Sequence, residues 1–451
     1  MTTTSDPEPG TPGFGVRPED AVAEDVEDAF LDGDRAFEAG TARAAFSHRT
    51  FRTVYLGAFA SNIGTWMQNV VLGALAWHLT KSHLYLGLIA AAQLGPLLLF
   101  SVFGGMIADQ YDRKKSLLLL CLQQAVFSVL LAVVTVPKAP NETLLLVIVL
   151  IIGIGNALYA PIFSAVVPIL VPRRDLPGAI SLNSVQMNAS RVIGPLIGAP
   201  IYAAFGPSWV FVLNALSFGF VLLALTRVTL PAPTPSGTQG WHRVVEGFRV
   251  AARDRVVGQS LIVIAVFSFW CLPWIPQLAA IADENLGIDS DSGTFGLLYG
   301  CFGFGAVLGA LSIGTIFAGT SKPFLTRIGL VGFAGLVFVF GTMHVTTAAF
   351  AAIIVLGAVY FAVITSLSTV LQQALDDSVR GKVMALWIMG FGGMVPFGGI
   401  VGGKVIEQWG ITPMIAICSV VSLALAWWAD LLPSRPSGVF AVGSTTTRPL
   451  P

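Results

Sequence analysis

Twelve separate stretches of this chain are apolar for about the twenty residues that a helix needs to cross roughly 30 Å of hydrocarbon, and their repetition limits the fold more than any motif does. They run over 52–79, 84–108, 117–136, 144–170, 178–205, 209–226, 259–281, 295–317, 324–342, 348–371, 383–406 and 412–432. Only 11% of the 451 residues are charged and the mean hydropathy is +0.77, whereas soluble domains carry about 25% charged residues. These features predict an all-α membrane protein with twelve transmembrane helices. The first run lies behind a long acidic tail and is too long for a signal-peptide core.

The formal net charge of zero hides an asymmetry. Eleven acids fall between Asp6 and Glu38, with only Arg17 and Arg35 among them. Without that segment the chain holds 23 basic and 14 acidic residues. The acidic tail, 1–50, has little to bury and is expected to be disordered, with a transient helix around 21–39. A polar gap at 229–258 separates six runs (51–228) from six more (259–432), and a second tail follows at 433–451. The gap opens on PAPTPSG, a flexible linker. It continues as WHRVVEGFRVAARDRVV, where Trp241, Val244, Val245, Phe248 and Ala252 share a helical face. That is an interfacial amphipathic helix or a charged linker. Lysine and arginine concentrate in the loops on one side, including Arg113 to Lys115, Arg173, Arg174, Arg227, Lys322, Arg327, Arg380 and Lys382. This side is predicted to be cytoplasmic, with both termini on it.

Between the second and third runs stands GGMIADQYDRKK, Gly104 to Lys115. So much charge in so short a turn lies at a membrane face, because ionised groups at bilayer centre cost about 2.5–3.5 kcal/mol even on insertion scales. The two halves also repeat. LVPRRDLPGAISL from Leu170 aligns with ALDDSVRGKVMAL from Ala374, and GPLIGAPIYAAFG ending at Gly206 aligns with GGIVGGKVIEQWG ending at Gly410, both at an offset of 204. Parallel repeats are a transporter plan in which two bundles rock about a midplane site.

The charged turn resembles the signature loop of the major facilitator superfamily, G-x-x-x-D-basic-x-G-basic-basic. Gly105, Asp109, Arg113 and Lys114 match it, while Gln110 replaces a basic residue and Asp112 the glycine. The resemblance covers about 51–432. NIGTWMQNVVLGALAW, ADQYDRKK and LVPRRDLPGAISLNSVQMNASRVIGPLIGA look like the bacterial enterobactin-exporter-like and macrolide-efflux branch. The resemblance implies the major facilitator fold, two pseudo-symmetric six-helix bundles. It also implies that Asp109 meets the start of the eleventh span when the cytoplasmic side closes. GPLIGA resembles the antiporter motif of the fifth span through Gly194, Pro195 and Gly198, with Ala199 in place of the last glycine. Physically it is a close helix packing seam with a proline kink.

Arg191 is the one basic residue well inside a span, and such residues are functional candidates because of their cost. No embedded carboxylate is in view to pair with it. In the first span Asn62, Trp66 and Asn69 share a face, flanked by Ser61, Thr65 and Gln68. These face a cavity or bond neighbouring helices. Trp270, Trp274 and Gln277 in the seventh span, Asn156 and Tyr159 in the fourth, and Thr365 and Thr369 in the tenth complete a cavity set. The resemblance implies that these four spans line the cavity. Aromatics, amides and hydroxyls suit a bulky amphipathic ligand.

The four cysteines lie in apolar runs without metal or redox spacing, no Ser/His/Asp set emerges, and no phosphate-cradling loop follows a strand. No enzyme, cofactor, metal or nucleic-acid partner is expected. The expectation is a secondary exporter of an amphipathic small molecule, siderophore-like or antibiotic-like, in the cell inner membrane and monomeric. Proton antiport is implied by the resemblance, although the usual buried carboxylate and the fourth-span arginine of efflux relatives are missing. Import, or a non-transporting sensor with the same fold, are the alternatives.

Overall fold

A computed structural model describes residues 37–137, 139–228, 230 and 240–431. The acidic tail through residue 36, the PAPTPSG segment and the tail from 432 fall outside the described residues, and so does most of the disorder expected there. The expected disorder of 1–50 does not reach residue 50. A short helix, Ala42–Ser47, precedes the first span, and the first span itself begins at Arg49. Buried Asp175 anchors this stretch by accepting hydrogen bonds from the Gly40 amide (3.1 Å) and from His48 Nε2 (2.8 Å).

All regular structure among the described residues is helical. Among the described residues, nine helical segments are individually long and apolar enough to cross a membrane, or ten if one bent pair is counted. Arg49–Thr80 and Leu176–Phe205 are long enough, at 32 and 30 residues, but too polar for that test. They are the first and fifth spans, each carrying three amide side chains, Asn62, Gln68 and Asn69 in one and Asn183, Gln186 and Asn188 in the other. Taken with the seventh span, which is broken, they complete the twelve segments that the sequence predicts.

Three spans are interrupted where their sequence requires it. The second divides into His83–Leu94 and Pro96–Gln110, because Pro96 offers no amide to the preceding turn. The seventh runs as Arg255–Val266, widens into a π-turn at Phe267–Cys271, unwinds across Pro273 and Pro276, and resumes as Leu278–Leu286. The eleventh breaks at Gly393 between Asp377–Gly392 and Met394–Trp409. The helix Gly240–Arg253 turns into the seventh span through 115°, as a helix lying along a membrane surface would. Val245 and Phe248 on it are exposed, and Glu246 pairs with Lys382 at 2.6 Å.

The internal repeat is written in the backbone. Gly206 and Gly410 each end a span at nearly the same positive φ, with φ 85°, ψ 172° and φ 87°, ψ 175°. Glycine is the residue that tolerates this conformation. The packing repeats too. A Cβ on Gly194 would lie 2.6 Å from Trp66 Cβ in the first span. A Cβ on its counterpart Gly398 would lie 2.1 Å from Phe269 O in the seventh, beside Trp270, which is the repeat mate of Trp66.

Inside the first bundle, Gln68 Oε1 accepts from Ser128 Oγ (3.0 Å) and Asn214 Nδ2 (2.8 Å), all three buried. This joins the first, third and sixth spans where lipid offers no hydrophobic drive for association. Asn214→Ala is expected to lower stability by about 1–2 kcal/mol, seen as an earlier thermal unfolding transition in detergent. An unchanged transition would remove this network from the account.

Candidate functional site

The two faces of the molecule differ. Call the side of the Tyr111–Asp112 turn the loop face and the other the far face. On the far face the two halves meet backbone to backbone. A Cβ on Gly87 in the second span would lie 2.5 Å from Gly399 O in the eleventh. Gly296 in the eighth span presses on Ala199 and Pro195 O of the fifth, and a Cβ on Gly300 would lie 2.7 Å from the Leu196 side chain. The small residues of the GPLIGA motif therefore work on two fronts. Gly194 and Gly198 admit the first span at Trp66 and Met67, while Pro195, Leu196 and Ala199 admit the eighth.

Polar bonds rim this seam at its outer edge. Lys81 Nζ and Trp77 Nε1 both donate to Asp283 Oδ2 across the halves. Glu407 Oε1 accepts from Ser82 Oγ (2.8 Å) and the Leu84 amide (3.0 Å).

Arg191 lies just to the loop side of the closed seam. A Cβ on Gly303 of the eighth span would lie 3.0 Å from the Arg191 carbonyl, one turn beyond the Gly300–Leu196 contact. The guanidinium is sandwiched between Trp66 and Phe361, with its carbon 5.1 Å from each ring centre. Tyr299 and Tyr360 are close enough to interact with it electrostatically. No carboxylate pairs with it among the described residues, and its Nε is buried with no acceptor. Cation–π contact offsets part of the cost of a desolvated charge, about 2 kcal/mol or more per ring. It leaves the Nε donor, which lies in the plane of the group, unused.

Of the other residues singled out from sequence, Asn62, Asn69, Asn156, Tyr159, Thr365 and Thr369 are half-buried on the first, fourth and tenth spans. Asn156 Oδ1 lies 3.5 Å from Gln124 Nε2, and Tyr159 stacks on Phe163. Three expected cavity residues stand elsewhere. Trp274 is fully buried, in edge contact with Phe302 and Phe340. Gln277 is fully buried in the far-face seam against His83. Trp270 lines a separate cleft with Pro273, Gly402 and Met414. The unwound turn at 272–277 rotates these residues out of the single helical face that the spacing suggests. Tyr299, Tyr360 and Phe361 were not evident from the sequence, where they are ordinary aromatics of apolar spans. Mid-span tyrosines, which need a partner for the hydroxyl, were the available signal.

In the signature turn, Asp112 caps the third span by accepting from the Lys115 amide at 3.0 Å. Arg113 Nε donates to Ala108 O (2.9 Å), and Lys114 Nζ to Thr226 O (3.2 Å) and Val228 O (2.7 Å). Both cations thus satisfy carbonyls at helix C-termini, where positive charge is favoured. Gly104 packs on Leu158 and Pro161 of the fourth span, whereas a Cβ on Gly105 would meet nothing within 4 Å. Asp109 ends the second span, and its side chain is outside the described set. Also on the loop face, a cavity of about 730 Å³ is lined by Arg43, Phe46, Arg52, Tyr55 and Leu182. No cluster of three or more potential metal ligands occurs among the described residues.

Residues 40–437 match the family described as transmembrane secretion effector. The chain is similar to the enterobactin exporter EntS of Salmonella choleraesuis, 25% identical over 350 residues that cover 76% of this chain and 82% of that protein. It is 24% identical to the staphyloferrin A transporter of Staphylococcus aureus over 378 residues, covering 82% and 93% of the two chains. Among solved structures, the D-xylose-proton symporter gives a TM-score of 0.68 at 15% identity, over 84% of this chain and 98% of that one. The nucleoside transporter NupG gives 0.67 at 13% identity with the same coverage. These two likenesses bear on the fold alone. With a secretion-effector match over most of its length and transporters as its relatives, the chain belongs to the major facilitator superfamily and is a multi-pass membrane transporter of the enterobactin-exporter-like branch.

Proposed function

We propose that the chain exports an amphipathic, anionic small molecule of siderophore-like or antibiotic-like type by alternating access, with Arg191 as the polar anchor for the ligand. The observation that carries this is the guanidinium held between Trp66 and Phe361 with no acid beside it. A guanidinium in that setting lacks only a planar anion, and its fork fits carboxylate or catecholate oxygens in a bidentate way. The two rings that hold it offer apolar faces to the rest of such a ligand. Asn62, Asn69, Asn156, Tyr159, Thr365 and Thr369 supply further hydrogen-bonding groups on the first, fourth and tenth spans. The names of the enterobactin exporter and the staphyloferrin A transporter support a siderophore-like substrate, and the first of them supports outward transport.

The excess of lysine and arginine on the loop face assigns it to the cytoplasm and puts both termini there, in the inner membrane. With the halves meeting on the far face, at Gly87–Gly399 and Gly296–Ala199, the outer gate is then shut and loading is left to the cell interior. Energy comes from a gradient, with the proton as coupling ion, and the unit is a monomer. Asp109, at the cytoplasmic end of the second span, serves as the gate that meets the eleventh span when that side closes.

Efflux of candidate ligands from loaded cells, at matched protein levels and with and without a protonophore, tests the anchor. Arg191→Lys keeps the charge and loses the fork, so transport should fall several-fold. Arg191→Ala removes a charge-assisted bond worth about 1.5–3 kcal/mol and should cost roughly tenfold to a hundredfold. Unchanged efflux in Arg191→Ala would sink the anchor, and net accumulation inside the cell would reverse the direction. Orientation is tested in a background without the native cysteines. An impermeant thiol reagent applied to intact cells should label Ala139→Cys on the far face and spare Ser321→Cys on the loop face. The reverse pattern would overturn the topology. Asp109→Asn should shift the resting population away from the outward-open state, and wild-type transport at normal expression would remove its gate role.

A further inference from the structure

The far-face rim holds a titratable pair that anchoring of the ligand does not use. His83 opens the second span with its side chain about 10% exposed, against the unwound part of the seventh. Gln277 fixes its tautomer. The amide nitrogen of Gln277 donates to the His83 backbone carbonyl at 2.8 Å, which leaves the amide oxygen facing the ring, 3.0 Å from Nδ1. An amide oxygen only accepts, so Nδ1 carries the hydrogen, and in a neutral ring Nε2 is then a bare acceptor. Yet Nε2 faces Glu284 Oε1 at 3.4 Å, and an ionised carboxylate also only accepts. Two lone pairs confront each other unless one proton lies between them. With that proton the confrontation becomes a charge-assisted bond.

We propose that His83 Nε2 and Glu284 Oε1 together form a proton-binding site, and that a proton held there latches the far face shut. The inference rests on the reading of the chain as an alternating-access transporter, because the two residues belong to different halves and meet only when this face is closed. Glu284 is 43% exposed, so the proton is exchanged with the solution on the far side. The two acceptors that share the proton are brought together only by closure, so the bound proton favours closure. Acid outside should therefore shut this face, and alkali should loosen it.

The neighbouring charges make different contributions. Asp283, also on the seventh span, is occupied by Lys81 and Trp77 of the first, and the Trp77 ring lies 4.9 Å from the imidazole. Glu407, on the eleventh span with Lys404, is bonded to Ser82 and the Leu84 amide. His78 lies 3.7 Å from Asp291, with 55% and 43% of the two side chains exposed, a separation and exposure at which solvent screening dominates. It is the natural control.

The test uses the full chain in nanodiscs, free of native cysteines, with spin labels on Ala139→Cys and Thr347→Cys, one in each half on the far face. Distances are read by electron–electron resonance between about pH 5 and 8, the range in which histidine charge changes. On acidification the ratio of short to long distances should rise by roughly fivefold or more, the lower end of usual coupling between sites. His83→Gln and Glu284→Gln should each flatten that response, and His78→Gln should keep it. Glu284→Gln alters an exposed side chain, so it remains informative if His83→Gln fails to fold. A pH-insensitive parent, or a full response in Glu284→Gln, overturns the proton site. Failure of the export reading would look different, with no efflux at any pH while the pH-dependent distances persist.

Discussion

Everything in this structure depends on two helical bundles meeting backbone to backbone through glycine. Lipid tails are as apolar as leucine, so apolar side chains gain nothing by leaving them for one another. What holds the halves together in the hydrocarbon is dispersion at very short range, and only residues without bulk permit it. Gly87 on Gly399 and Gly296 on Ala199 are such contacts. They are close but carry little directional bonding of their own, and the buried donors that cross the seam, on Gln277 and Ser290, bond to the His83 and Ala74 carbonyls. The directional bonds stand at the rim instead, where Lys81, Asp283, Ser82 and Glu407 can exchange partners with water. A seam built this way separates cheaply in its middle and is locked at its edge.

Arg191 stands where the seam ends, and the repeat explains why that matters. Its mate in the second half, 204 residues on, is Val395. The close glycines and the tryptophans Trp66 and Trp270 recur in both halves, but this charge does not. The second half brings aromatic surface to the same point, through Tyr299, Tyr360 and Phe361. In the proposed cycle the first half therefore holds the polar end of the ligand, while the second half supplies an apolar wall.

The general architecture was legible because its causes are local. About twenty apolar residues make a span, a proline breaks one, and a helix-ending glycine at positive φ recurs at the same offset. Arg191 was legible because a charge in an apolar run needs a reason. The far-face latch was not. His83 and Gln277 are 194 residues apart, and Ser82 and Glu407 are 325 apart, so no spacing rule connects them. Trp274 and Gln277 share a face with Trp270 only on an unbroken helix, and the turn at Pro273 and Pro276 removes that helix. The helical period tells which residues share a face, provided that the backbone stays helical.

The two spans too polar to pass as membrane helices complete the physical picture. Arg49–Thr80 and Leu176–Phe205 pack on each other at Trp66 and Gly194, and both belong to the first half. Their amides are partly spent internally, as Gln68 is on Ser128 and Asn214. The rest need water or a ligand, because lipid satisfies neither donors nor acceptors. The eighth span opposite is the reverse case. Gly293–Gly314 is apolar and holds glycines at 296, 300 and 303 along the fifth span. A polar surface facing a smooth apolar one gives the molecule a side that can recognise and a side that can slide. Exchanging those roles would place glycine where recognition needs side chains, and amides where sliding needs none.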